Sequence, residues 1–252
     1  MISGATLETE GELFARGYTS IAGIDEVGRG ALAGPVSVGV AVVTPQHTLD
    51  VEGLIDSKAL KESVRQQMVP LIQQWAVTGV GSVSAAEIDV LGMTASLRLA
   101  AHRAMHRVLA AGARPDAVLL DGKHDWFTEP ETDLLTGLTP SDEFYQHSVD
   151  QLWGGDRLPV LPVQTIIKGD FTCASIAAAS VVAKVSRDTY MESLADQYPQ
   201  YGWAKNKGYG SQTHRQVLQE HGATVEHRLS WNLGIMPEQT RQAHIQRAKG
   251  MI

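Results

Sequence analysis

The chain has 252 residues, 43% of them hydrophobic and 19% charged, with a formal net charge of −7. That is the composition of a globular protein long enough to bury a sizeable core, and a single large domain is expected. No window approaches the ~18 uninterrupted apolar residues of a membrane span, and the lone cysteine, Cys173, excludes an internal disulfide.

Between Met1 and Arg16 the sequence is polar, with no apolar secretory core, so a reducing cytoplasm is the expected compartment and no membrane partner is expected. The negative charge is unevenly placed. Residues 124–163 carry eight carboxylates against Arg157 alone, which accounts for the whole of the −7 and leaves the remainder formally neutral. A polyanionic partner is therefore compatible with this charge, the more so because site carboxylates are neutralised by any cations they hold.

In chain order, residues 1–19 read as a short leader with one helical turn around Leu7, Leu13 and Phe14. Residues 21–24 (IAGI) read as the end of a buried strand that terminates in Asp25 and Glu26. Gly28-Arg29-Gly30 follows, where residues without a Cβ permit close approach of a ligand and one guanidinium can meet a phosphate. Gly34-Pro35 then turns the chain into Val36, Val38, Val40 and Val42, whose alternation predicts the hairpin partner. Asp56-Ser57-Lys58 precedes a predicted helix over 61–75, with Ser57 or Asp56 as its cap.

Residues 77–84 alternate as a third strand, and 85–111 form one long helix. Its His102 and His106 are spaced i, i+4 but lack an acidic or cysteine partner, so they read as part of a solvated face rather than as metal ligands. Residues 117–120 form a short buried strand ending at Asp121-Gly122; in an open α/β sheet, ligands lie beyond such carboxyl ends. The acidic stretch 124–163, with Trp126, Phe127, Tyr145 and Trp153 as anchors, reads either as a surface excursion or, more sharply, as a segment that flanks the site and disfavours non-specific DNA binding. A strand over 162–168 ends at Gly169-Asp170. Residues 173–194 form a helix whose Ala177, Ala178 and Ala179 allow close packing and which carries Lys184 and Arg187. The stretch 198–209 reads as an aromatic, lysine-rich loop of the kind nucleic-acid sites use, and helices over 211–221 and 237–249 complete the chain.

Adjacent carboxylates within an apolar run cannot stay charged without cations. Asp25, Glu26, Asp121 and Asp170 come from separate strands or strand ends and are spaced like neither an EF-hand nor a zinc site; oxygen-only ligands of this kind select hard cations, Mg2+ or Mn2+. Two such ions, about 3.5 to 4 Å apart, stabilise both the attacking water and the leaving oxygen of a phosphodiester. No nucleophilic side chain is then needed, and Cys173 reads as a packed helix residue. Gly28, Gly30 and Ala33 also match the pattern of a dinucleotide-binding turn, but a valine-rich strand follows where that turn needs a helix N-terminus.

The stretch GIDEVGRGALAGP, with Asp56-Ser57-Lys58 and Leu60, Val118 to Gly122, Lys168-Gly169-Asp170, Ser175 to Ser180 with Ala183-Lys184 and Arg187-Asp188, and Asn206 to Gly210 with His214, resembles the ribonuclease HII (type 2 ribonuclease H) family over residues 21 to about 232. The resemblance implies an α/β ribonuclease H-like fold: a central mixed five-stranded sheet, three antiparallel strands then two parallel, flanked by helices. The catalytic domain would span 20–232 after the leader, with 233–252 as a helical C-terminal tail. No extra N-terminal domain is expected, which favours type 2 over the related type 3 enzymes.

The implied activity is hydrolysis of the RNA strand of RNA·DNA hybrids and incision 5′ of ribonucleotides embedded in duplex DNA, leaving 3′-hydroxyl and 5′-phosphate ends. The four acids would hold Mg2+ or Mn2+, and the protein would act on nucleic acid as a monomer. Carried over residue by residue, Gly28, Arg29 and Gly30 would contact the 2′-hydroxyl and its phosphates, Tyr209 the sugar at the junction, and Lys58, Lys184 and Arg187 phosphates. The long acidic stretch between Asp121 and Asp170 departs from the family pattern. The alternatives are a non-catalytic hybrid-binding protein, against which the presence of all four acids counts, and another two-metal nuclease such as a junction resolvase. Gly28-Arg29-Gly30 with Tyr209 argues against the latter, having no evident use unless a ribose is read.

Overall fold

A computed structural model describes residues 4–129, 139–154 and 158–250. Five strands, β1 (Ile21–Val27), β2 (Val36–Val43), β3 (Val77–Val83), β4 (Ala117–Asp121) and β5 (Val163–Ile166), form one sheet in the order β3-β2-β1-β4-β5. β1 pairs antiparallel with β2, and β2 with β3, whereas β1–β4 and β4–β5 are parallel. The expected mixed sheet is thus present. The helices are α1 (Glu8–Ala15), α2 (Glu62–Trp75), α3 (Ala85–Ala110), α4 (Pro140–Trp153), α5 (Gly169–Thr172), α6 (Ala174–Gln197), α7 (Trp203–Asn206), α8 (Gln212–His221) and α9 (Glu238–Gly250).

Both faces of the sheet are covered, which is why all eight residues of β2 are buried and its sequence is almost wholly apolar. The period-two alternation divides the strands between two cores. Ala22, Ile24, Val36, Val38, Val40, Val42, Val118 and Leu120 pack with α3, while Ala41 packs with α2 and with the alanines of α6. Helix α6 sits directly on the strands: a Cβ added at Gly39 would lie 2.1 Å from the Ala179 carbonyl oxygen. Only a glycine facing small residues permits that approach, and it sets the depth at which α6 carries its polar side chains beside β1.

Several elements differ from the sequence expectation. β1 continues through Val27, so Asp25 and Glu26 lie within the strand rather than closing it. Helix α3 is not continuous: Gly92, at φ +70°, joins two helical pieces, the first capped reciprocally by Ser84 and Glu87. The described part of the leader is integrated, because α1 buries Glu10 against the first turn of α6. There Glu10 Oε1 accepts from the Ser175 amide at 2.8 Å and its hydroxyl at 2.6 Å, a carboxylate placed where helix N–H groups lack partners.

The acidic stretch is the largest difference. Thr139 and Asp142 cap α4 reciprocally, and α4 packs on α3 with Trp126, Phe127, Tyr145 and Val149 in the core. The expected aromatic anchors are therefore real, but the stretch is not merely a surface loop. His102, expected on a solvated face, is 4% exposed and accepts from Trp153 Nε1 at 3.1 Å. Removing the whole stretch would uncover this core, so its electrostatic role is tested by neutralising Asp142, Glu143 and Asp150 instead. Glu131, Asp133, Asp156 and Arg157 lie outside the described residues. Among the described residues no helix is long and apolar enough to cross a membrane.

Candidate metal centre

The register of the central strands assembles the site. In the parallel pair β1–β4, Ile24 stands opposite Leu120, so the next positions, Asp25 and Asp121, come level at the carboxyl ends. β5 ends at Ile166, and Lys168, with φ +58°, turns the chain so that the Gly169 amide donates to Asp121 Oδ1 at 2.8 Å. Asp170 is thereby placed in the first turn of α5, not at a strand end as expected, and it is 4% exposed.

These carboxylates crowd one another away from water. Burial pushes Asp25 well above the usual carboxylate range; a hydrogen bond from Ser180 and the Lys58 charge oppose that shift, and the charges of Glu26 and Asp121 add to it. Burial likewise raises Glu26, with Arg29 opposing. Asp170 is pushed up to about 7 by burial and by the charges of Asp121 and Asp56, with Lys58 opposing. Among the described residues no three His, Cys, Asp or Glu side chains are drawn together closely enough to hold a metal ion as they stand. An oxygen-only cluster of buried, mutually repelling acids nevertheless fits a hard divalent cation in donor chemistry, since bound positive charge removes the cost of ionising them together.

Asp56 is the residue the sequence reading undervalued. It accepts from the Lys58 amide at 2.9 Å, capping the short 3-10 turn Ser57–Ala59 rather than α2, and its 4%-exposed carboxyl faces Asp170. An acid immediately before a Ser-Lys pair was the available signal. Lys58 itself is exposed, its Nζ 4.0 Å from Asp170 Oδ2. Partial burial draws the ammonium down, but Asp56, Asp25 and Asp170 outweigh that and hold it above its ordinary value.

Beside the acids lies the glycine turn. Gly28 has φ +83°, and a Cβ there would lie 2.0 Å from Arg187 Nε, so backbone conformation and space both demand glycine. Its amide donates to the Tyr209 hydroxyl at 3.2 Å, and the Arg187 guanidinium carbon lies 5.5 Å from the Tyr209 ring centre. Arg29 is exposed, with NH1 3.3 Å from Glu26 Oε1, and Gly30 is open to solvent.

Two expected phosphate ligands are placed differently. Arg187 is 1% exposed and donates to the carbonyls of Pro35 (2.8 Å), Lys207 (2.9 Å) and Ala33 (3.3 Å), so it supports the turn from behind. Lys184 is largely buried, with Nζ 2.6 Å from Asp188 Oδ2, and Arg65 reaches the same carboxylate at 3.7 Å. Neither presents a free cation at the surface; spacing along a helix cannot distinguish such inward charges from outward ones.

The aromatic stretch also folds inward. Tyr201 and Trp203 are 1% and 0% exposed and stack at 5.1 Å, whereas Tyr209 is 38% exposed at the site. Below it, Thr224 donates its amide to His227 Nδ1 (2.9 Å), the His227 and His214 Nε2 atoms are 3.1 Å apart, and His214 Nδ1 lies 2.9 Å from the Tyr209 carbonyl oxygen. This pattern fixes His227 protonated at Nε2 and His214 at Nδ1, donating to Tyr209. Burial holds His227 at about 3, with His214 adding to the shift, so both rings stay neutral and the chain of bonds pins Tyr209.

A ribonuclease H-like sheet with Asp25 and Asp121 level at the carboxyl ends of its central strands, and Asp170 beside them in α5, has the donor chemistry of a metal-dependent nuclease. The chain matches the ribonuclease HII family profile over residues 22–233. It is 43% identical over 216 residues to ribonuclease HII of Streptomyces avermitilis, covering 85% of this chain and 78% of that protein. In fold it is similar to ribonuclease H2 of Pyrococcus horikoshii OT3 (TM-score 0.56, 22% identity, 89% of this chain and 99% of that one) and to Bst-RNase HIII in complex with Mn2+ (TM-score 0.60, 22% identity, 90% and 70%). The chain belongs to the ribonuclease HII family and is a type 2 ribonuclease H, a metal-dependent endonuclease.

Proposed function

We propose that this protein hydrolyses the RNA strand of RNA·DNA hybrids and incises duplex DNA 5′ of an embedded ribonucleotide, leaving 3′-hydroxyl and 5′-phosphate ends. The observation that carries the reading is adjacency: Asp25 and Glu26, in a cluster with Asp121 and Asp170, are followed within one turn by Gly28, whose amide meets Tyr209. A cleavage centre and a sugar-reading surface thus share one stretch of chain. Asp25, Glu26, Asp121 and Asp170 would hold Mg2+ or Mn2+; Bst-RNase HIII binds Mn2+ in its solved complex. Two such ions supply stabilisation of the attacking water and of the leaving oxygen.

The chain's own residues do the rest. Gly28, Arg29 and Gly30 approach the ribose and its phosphates, Arg29 with an exposed guanidinium, and Tyr209 supports the sugar at the junction with its ring and hydroxyl. Lys58, exposed beside the acids, balances charge and meets a phosphate. The catalytic unit is residues 20–232, flanked by 1–19 and 233–252, acting as a monomer in the cytoplasm, where Cys173 stays reduced.

The deciding experiment compares a duplex containing one ribonucleotide with an all-DNA duplex of the same sequence. Cleavage 5′ of the ribonucleotide in Mg2+, abolished by EDTA, is the expected result. An intact ribonucleotide duplex excludes this reading; equal cutting of both duplexes would favour a nuclease that does not read ribose.

Metal affinity should also depend on pH. Because Asp170 is raised to about 7, it is ionised above that pH and protonated below it, and a cation must displace that proton. Affinity should then rise with pH through about 7 and fall by at least about tenfold per unit below it, since Asp25 and Glu26, raised as well, must also give up protons to the cation. Mn2+ titration calorimetry between pH 8 and pH 5.5 measures this, and an affinity independent of pH over that range contradicts the assignment of Asp170.

A further inference from the structure

Arg228 has no part in the metal centre and lies in a segment to which the sequence reading gave no role. It is fully buried, and its guanidinium fans across the inner side of the glycine turn. NH1 donates to the Arg29 carbonyl at 2.7 Å, NH2 to those of Gly28 (2.6 Å) and Gly34 (3.2 Å), and Nε to Gly34 at 3.3 Å. The Trp231 ring lies 4.8 Å from its central carbon. The segment is anchored in turn by Asp89, which accepts from the amides of Leu229 (2.8 Å) and Ser230 (3.0 Å) and from Arg247 NH1.

In a trans peptide the carbonyl and the following N–H point in opposite directions, and the described residues contain no cis peptide. Drawing the Gly28 and Arg29 carbonyls inward onto Arg228 therefore turns the amides of Arg29 and Gly30 outward. Both residues are exposed, and among the described residues neither amide has an acceptor within the fold. Two adjacent outward amides with a buried positive charge behind them form a recess for a hydroxyl or phosphate oxygen.

We propose that Arg228 is a positioning residue for ribose recognition: by holding the Gly28 and Arg29 carbonyls it presents the Arg29 and Gly30 amides to the 2′-hydroxyl and its neighbouring phosphate. This rests on the reading of Gly28-Arg29-Gly30 as the ribose-reading turn. Lysine cannot substitute, because one ammonium does not reproduce the planar fork that spans three carbonyls.

The test measures affinity for one-ribonucleotide and all-DNA duplexes by fluorescence anisotropy in EDTA, together with kcat and KM for cleavage in Mg2+. Wild-type protein should prefer the ribonucleotide duplex by about tenfold, the net worth of one added hydrogen bond to the hydroxyl. In Arg228→Lys that preference should fall to within about twofold of unity and kcat should drop, while affinity for all-DNA duplex changes by less than about twofold. A folded Arg228→Lys that keeps the preference and loses only melting temperature overturns the proposal. If Arg228→Lys does not fold, Asp89→Asn, which loosens the anchoring of residues 229 and 230, is read the same way: a reduced preference supports the proposal and an unchanged one overturns it. Wild-type protein without a ribonucleotide preference in either binding or cleavage defeats the ribose reading itself, and the role of Arg228 with it.

Discussion

Asp121→Asn should lower turnover of a ribonucleotide-containing duplex by about a thousandfold, the upper range for removing one electrostatic group from a reaction centre, while leaving the melting temperature close to that of the wild type. Asparagine has the same shape and retains the Oδ1 acceptor that receives the Gly169 amide, so the turn carrying Asp170 stays in place. What disappears is one negative charge. That charge raises both Asp25 and Asp170, and its removal should let Asp170 titrate below the wild-type value of about 7 in metal-free protein. Carbon-detected NMR of the Asp170 carboxyl follows this directly, alongside steady-state cleavage. Wild-type turnover would remove Asp121 from the centre, whereas a large fall in melting temperature together with lost activity would attribute the effect to folding.

The second large effect is expected at Tyr209. Its side chain is exposed on one face, lies beneath Arg187 on another, and accepts from the Gly28 amide through its hydroxyl. Tyr209→Ala should lower kcat/KM on a single-ribonucleotide duplex by about a hundredfold, the scale of a lost ring contact to a nucleotide, with Mn2+ affinity unchanged because no carboxylate is disturbed. Tyr209→Phe keeps the ring and removes only the acceptor for Gly28, so its difference from the wild type isolates the hydroxyl and the difference between the two variants isolates the ring. Undiminished cleavage by Tyr209→Ala would count against any role in reading the sugar.

The sequence carried the sheet well because each strand is short, apolar and bounded by turn residues, and the parallel pairing of β4 and β5 agrees with their separation by long intervening segments. The mutual proximity of Asp25, Glu26 and Asp121 was legible for a similar reason, since a carboxylate closing an apolar run is chemically conspicuous, whereas the placing of Asp170 in the first turn of α5 was not. Burial of charge was not legible. Lys184 and Arg187 sit on one helix at ordinary spacing, and only the fold reveals that Arg187 is spent on three carbonyls and Lys184 on Asp188. Tyr201 and Trp203 misled for the same reason, since an aromatic loop and an aromatic core look alike in one dimension. Asp56 was read only as a cap, and Arg228 was missed, because their partners, Asp170 and the Gly28 turn, lie more than a hundred residues away in the chain.

The parallel alignment of Asp25 with Asp121 also ties the candidate site to long-range pairing of the chain. Strands β1, β2 and β3 form a meander of neighbours, connected by a hairpin and by α2, whereas β4 and the turn bearing Asp170 join only through long-range closure, the slower kind of contact to form. A chain that has made the meander alone carries Asp25 and Glu26 without their partners and has no complete place for a divalent cation. If Asp25, Glu26, Asp121 and Asp170 together hold the cation, its binding requires β4 and α5 to be docked on the sheet, so cation binding during refolding should report completion of the whole domain rather than formation of any one part.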